Sequence, residues 1–164
     1  MLKKYELTIE NHLDLINQCI KSKIKFLSSP FDLESIDLLN KLKLKTIKIP
    51  SGEINNFPYL MHLGRLNKKI ILSTGMSNLN EIKAAIKTLI NSGTLKKNIS
   101  VLHCTSEYPT PFKNANLSAI KYLKKELKCD IGYSDHTKGF LASICAVSLG
   151  ATIIEKHITL DEHM

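Results

Sequence analysis

The sequence predicts an α/β fold, an incomplete TIM (β/α)8 barrel of about six βα units with parallel strands. Three observations lead there. Short runs rich in Ile, Val and Leu recur along the chain, each followed by a knot of polar residues and then by a longer stretch with helical spacing. Every one of these runs finishes in residues capable of chemistry, as expected where strand ends gather round one barrel mouth; an open sheet concentrates its site at a single switch point. The length, 164 residues, suits one domain but falls short of the roughly 250 residues typical of a closed eight-stranded barrel. Two βα units are therefore expected to be missing from the N-terminal side.

Taken in order, residues 8–22 read as a helix that precedes any strand. Strands are expected at 23–29 (KIKFLSS), 46–51 (TIKIPS), 69–75 (KIILSTG), 99–106 (ISVLHCTS), 130–136 (DIGYSDH) and 152–159 (TIIEKHIT). Between them, LESIDLLNKL supplies apolar Leu33, Ile36, Leu38 and Leu39, and NLNEIKAAIKTLINSG supplies Ile82, Ala85, Ile86, Leu89 and Ile90, so each segment can cover a sheet face. Asn78 with Glu81 three residues on matches a capping box, Gly93 follows a helix end, and Pro30, Pro58, Pro109 and Pro111 fall in loops or first turns. No linker or low-complexity segment interrupts the series, so residues 1–164 form one partial catalytic domain.

Composition narrows the function. The hydrophobic fraction of 43% can furnish a proper core, and 23 basic against 15 acidic residues give a net charge of +8. Arg65 is the only arginine, there is no tryptophan, and no compact basic cluster is interleaved with aromatics, which argues against a nucleic-acid partner. Lys121, Lys124, Lys125 and Lys128 fit the solvated side of an amphipathic helix. Cys19, Cys104, Cys129 and Cys145 form no CxxC pair, and three of them sit in apolar or strand-like patterns that suit a small buried hydrophobe, so disulfides are not implied. The N-terminal stretch lacks the apolar segment of a secretion signal, and no run approaches the roughly eighteen apolar residues of a membrane span. A cytoplasmic setting without membrane attachment is expected.

Strand residues alternate faces, so Ile47 and Ile49 belong under helices while Thr46 and Lys48 point into the barrel. A buried ammonium must meet a carboxylate or a bound anion, either as a structural ion pair with Glu53 or as part of a ligand site. Ser29, Ser51, Ser73, Ser106 and Ser134 each end a different strand. Any one of them reads as a loop or helix cap; around one mouth they make an anion cup of hydroxyls and loop amides. Ser134 and His136 share one strand face, and Glu155, His157 and Thr159 share one on the next strand. The two imidazoles are either satisfied polar residues or ligands of a divalent metal. His103 reads as a packed, hydrogen-bonded histidine, and His12, His62 and His163 are assigned no role.

Six segments, FLSSPFD, KIPSGE, ILSTGM, LHCTSEYPTP, GYSDHT and EKHITLD, together resemble the sialic acid synthase family, the N-acetylneuraminate synthases, from one end of the chain to the other. The resemblance implies a barrel enzyme that condenses phosphoenolpyruvate with N-acetylmannosamine or a related 2-acetamido sugar, giving a nine-carbon sialic acid and phosphate. It implies a divalent metal, Mn2+ or Mg2+, on His136 and His157, and phosphoenolpyruvate on Lys48, Ser51, Ser73 and Ser134. It places Glu53 against the sugar for proton transfer and Tyr108 in the sugar pocket, with Lys48 and Glu53 as the catalytic pair. Ser29 stands where the family commonly has threonine and Ser106 where it often has asparagine or threonine; both keep a polar side chain for the substrate. The SGE of KIPSGE is closer to the neuraminate and legionaminate branches than to the pseudaminate branch. Full-length members carry two earlier strands and a C-terminal antifreeze-like domain that reaches a partner's site, so a homodimer is expected at full length and an inactive, weakly folding fragment here. Two other functions fit fewer of these features: another phosphoenolpyruvate-condensing 2-keto sugar acid synthase, and a non-catalytic ligand-binding remnant.

Overall fold

In the computed structural model, which describes residues 6–161, the first four helices begin where the sequence offers a side-chain cap. Helix α1 (Ile9–Lys21) starts at Thr8, whose Oγ1 accepts from Asn11 N at 3.2 Å while Thr8 N donates to Asn11 Oδ1 at 3.0 Å. Helix α2 (Leu33–Lys41) starts at Asp32, whose Oδ1 accepts from Ser35 N at 2.6 Å. A strict alternation follows: β1 (Thr46–Ile49), α3 (Phe57–Arg65), β2 (Lys69–Ser73), α4 (Leu79–Asn91), β3 (Ile99–Cys104), α5 (Ala119–Leu127), β4 (Asp130–Asp135), α6 (Leu141–Ser148) and β5 (Ile154–Lys156). The capping box expected at Asn78 and Glu81 opens α4, and Pro58 lies in the first turn of α3.

The five strands pair in parallel in their sequence order, β1-β2-β3-β4-β5, forming a half-barrel with helices on its outside. Alternation sorts their side chains. Ile47, Ile49, Ile70, Leu72, Val101 and Ile131 face the helices and are buried in one core with Leu60 and Leu63 of α3 and Leu89 of α4. Each such side chain contributes about 1.5–3 kcal/mol relative to its exposed state. The other face carries Lys48, expected to point inward, Ser73 and Ser134, expected at the mouth, and Cys104. Among the described residues, no helix is long and apolar enough to cross a membrane.

The expected strand at 23–29 does not form. The segment runs beside β1, but the contact is one hydrogen bond, from Lys48 N to Ser28 O at 3.4 Å, and Ile24 and Leu27 remain exposed. A ladder needs repeated bonds and a buried face, and this segment has neither. The remaining strands are shorter than expected at their C-terminal ends. After β1, Pro50 has no N–H to give, and Ser51–Glu53 wind into a 3-10 turn. Of the cysteines, all free, only Cys104 is buried; Cys19 and Cys129 are half-buried and Cys145 is exposed. Lys121, Lys124, Lys125 and Lys128 are solvated, as their helical spacing indicated. His163 lies outside the described residues.

Candidate active site

The inward face of the strands opens at its C-terminal end into a cleft of about 310 Å³, lined by Lys48, Ser51, Ser73, Ser106, Tyr108, Ser134, His136 and Glu155 among others. Cys104, Ser134 and Glu155 stand in register across β3, β4 and β5, one row of side chains on one face. Two glycines make room for it. A Cβ on Gly132 would lie 2.6 Å from Ile153 O, so only glycine lets β5 pack against β4 there. At Gly75 a Cβ would run into the Ser106 hydroxyl and come within 2.9 Å of Ser51 Oγ. Without it, Gly75 N donates to Ser51 Oγ at 2.8 Å.

Lys48, nearly enclosed on β1, ends 3.1 Å from Glu155 Oε2. Its partner is thus Glu155 and not Glu53, the residue nearer in sequence. Glu53 sits in the turn after β1, where its carboxylate accepts from Asn56 Nδ2 at 2.7 Å. Ser134, 2% exposed, donates to the other Glu155 oxygen at 2.6 Å, and its Oγ lies 3.1 Å from His136 Nε2. His136 Nδ1 is 2.7 Å from Thr105 O. A carbonyl only accepts, so Nδ1 carries the proton and, in the neutral ring, Nε2 presents its lone pair to the cleft. Ser73 is different from its neighbours: the residue is 3% exposed and lines the cleft, and its buried hydroxyl has no hydrogen-bond partner among the described residues.

His157 is exposed at the rim, its ring 5.5 Å from that of His136, and Tyr108 lies against both at 4.2 Å and 5.8 Å. Ser29 and Glu53 do not line the cleft. His103 is the packed histidine its position indicated, stacked on Tyr133 with Nε2 donating to Ala115 O at 2.9 Å. Burial holds its ionisation below the usual histidine range, against the opposing pull of the Ala115 and Asn116 carbonyls.

Glu155 and Asp135 were not assigned from sequence. Asp135 points to the helix side, where it accepts from Thr137 N at 2.9 Å, Thr137 Oγ1 at 2.7 Å and Ser143 Oγ at 2.5 Å, and pairs with Lys156 Nζ at 3.1 Å. Burial opposes its charge, but these donors outweigh it and hold the carboxyl below the usual range. It ties the ends of β4 and β5 to α6, and so fixes Ser134 and His136 between them. The signal for Glu155 was present in its two-residue spacing from His157; that for Asp135 lay only in Thr137, two residues on, since its partners Ser143 and Lys156 are brought to it by the fold.

The donor set fits a divalent ion. His136 has its far nitrogen anchored on a backbone carbonyl, the arrangement that orients a ligating imidazole, and the His157 ring is close enough for one ion to meet both. Among the described residues no third His, Cys, Asp or Glu completes a metal cluster with them, which leaves the other positions to water or ligand oxygens.

The model of the NeuB family matches residues 1–164. The chain belongs to the NeuB family. The family resemblance seen in the six motifs is therefore confirmed. This NeuB chain is 57% identical over 164 residues to the N,N'-diacetyllegionaminic acid synthase of Campylobacter jejuni, covering 100% of this chain and 49% of that protein. It is 37% identical over 162 residues to the N-acetylneuraminate-9-phosphate synthase of Drosophila melanogaster, covering 98% of this chain and 43% of that protein. Among solved structures, the N-acetylneuraminic acid synthetase of Leptospira borgpetersenii in complex with citrate matches with a TM-score of 0.92 at 36% identity, over 97% of this chain and 55% of that one. The NeuB chain spans about half the length of the curated relatives it matches.

Proposed function

We propose that this chain is the anion- and metal-binding half of a synthase that condenses phosphoenolpyruvate with an acetamido sugar to make a sialic-acid-type product. The observation that carries the proposal is Ser73: a buried hydroxyl without a partner, in a cleft shared with a buried lysine, is costly in the free protein and is repaid by a bound anion. Membership of the NeuB family and the sugar-acid synthases among its relatives support this reading.

Lys48, Ser51, Ser73 and Ser134 hold the phosphate and carboxylate of phosphoenolpyruvate by charge and hydrogen bonding. The enol carbon forms a bond to the aldehyde carbon of the sugar, whose oxygen takes a proton. Water adds at the carbon bearing the phosphate ester, and inorganic phosphate leaves as its C–O bond breaks. Glu53 serves the proton transfer from the turn after β1, and Tyr108, which lines the cleft, meets the sugar. His136 and His157 would hold a divalent ion, Mn2+ or Mg2+, which would supply Lewis-acid polarisation of the aldehyde. For the acceptor, the 57% identity to an N,N'-diacetyllegionaminic acid synthase favours a sugar carrying two acetamido groups over N-acetylmannosamine. The full-length protein works as a dimer, and the 164-residue chain binds ligand without turnover.

Calorimetric titration of the chain with phosphoenolpyruvate tests the binding claim, with saturable one-site binding expected. Phosphate release from phosphoenolpyruvate and either acceptor by this chain alone would overturn the claim of inactivity; no binding at millimolar ligand would overturn the anion site.

A further inference from the structure

One carboxylate occupies the place where a ligand anion belongs. Glu155 offers Oε1 to Ser134 at 2.6 Å and Oε2 to Lys48 at 3.1 Å, so its two oxygens engage the two groups that the function above gives to phosphoenolpyruvate. The burial is asymmetric. The Lys48 side chain is 10% exposed, while that of Glu155 is 37% exposed and springs from β5, the three-residue edge strand. Lys48 and Ser134 are therefore fixed, and Glu155 is the member with solvent to rotate into.

We infer that Glu155 is an internal competitor for the anion cup, a stand-in carboxylate that an incoming ligand displaces from Lys48 and Ser134. This rests on the phosphoenolpyruvate site proposed above. Displacing a carboxylate monoanion favours ligands with more charge, so Glu155 is a specificity-determining residue. It lets a phosphorylated acid into the cup and keeps monoanions such as pyruvate out. The buried Ser73 hydroxyl is the cup's remaining open donor and stays available in both states. A purely structural Lys48–Glu155 pair has the opposite signature, since removing Glu155 would then loosen the site and weaken every ligand.

The test is calorimetric titration of the full 164-residue chain, Glu155→Gln and Glu155→Asp in metal-free buffer, with phosphoenolpyruvate, inorganic phosphate and pyruvate as probes. Glu155→Gln, which keeps the shape and removes the charge, is expected to bind phosphoenolpyruvate about fivefold or more tighter than the natural chain, because a like charge beside the ligand is gone. It is also expected to gain measurable pyruvate binding. Glu155→Asp, with its carboxylate withdrawn by one methylene, is expected to fall between the two, and supplies the comparison should the glutamine variant misfold. Phosphoenolpyruvate binding that is unchanged or weaker in both variants overturns the competitor role and leaves the anion site standing. Absence of phosphate and phosphoenolpyruvate binding in all three chains overturns both.

Discussion

Lys48 of β1 and Glu155 of β5 lie 3.1 Å apart although their strands are the two opposite edges of the five-stranded sheet. In a flat sheet, four interstrand steps would separate those strands by about 19 Å, beyond the reach of the pair. The contact therefore reports the curvature of the half-barrel, and the same curvature delivers Lys48 to Ser134 and His136.

Ser73→Ala is expected to separate stability from binding. Removing an unpaired buried hydroxyl should stabilise the free chain by about 1 kcal/mol, within the cost of an unsatisfied polar group. Losing that donor should weaken phosphoenolpyruvate binding by about fivefold, the worth of one hydrogen bond. Urea unfolding and calorimetry on the same preparation check both signs.

Lys48→Met is expected to weaken phosphoenolpyruvate binding by at least about tenfold, as befits a charge-assisted contact. Its effect on unfolding should be about 1 kcal/mol or less, since Glu155 can rehydrate at the rim. A large drop in melting temperature with unchanged binding would identify the pair as structural.

His103 gives a pH dependence. Its folded ionisation is depressed by burial below the ordinary value of 6.5, so the unfolded chain binds the proton more readily. Stability is then fully present above that value and is lost as pH falls from it through the folded value. Among the described residues, the Ala115 and Asn116 carbonyls oppose that shift. His103→Phe is expected to flatten the slope of unfolding free energy below about pH 6.5, measured by denaturant melts at stepped pH.

Gly132→Ala is expected to cost about 2 kcal/mol or more, at the upper part of the overpacking range, because the added carbon meets not only the Leu102 side chain but also the Ile153 backbone oxygen, which cannot turn away. Chemical denaturation measures it directly.

The alternation of apolar runs and helical segments was enough to find every strand of the half-barrel, because parallel strands covered by helices must be continuously apolar on one face. It also turned Lys48 inward and gathered Ser73, Ser134 and His136 at the strand ends. It misjudged 23–29, where the residues are strand-like but the neighbouring backbone offers one bond. Local pattern carries no information on whether a partner is present. The same limit explains the partner of Lys48: Glu53 is near in sequence, whereas Glu155 becomes a neighbour only once the sheet has curved. The orphan state of Ser73 was equally out of reach, since it depends on what fails to approach it.

The most direct measurement is a crystal structure of the chain grown with phosphoenolpyruvate. The ligand is expected in the cleft, with oxygens in hydrogen-bonding reach of Lys48 Nζ, Ser73 Oγ and Ser134 Oγ. Phosphoenolpyruvate bound elsewhere, with Ser73 Oγ still unpartnered, would contradict the anion cup.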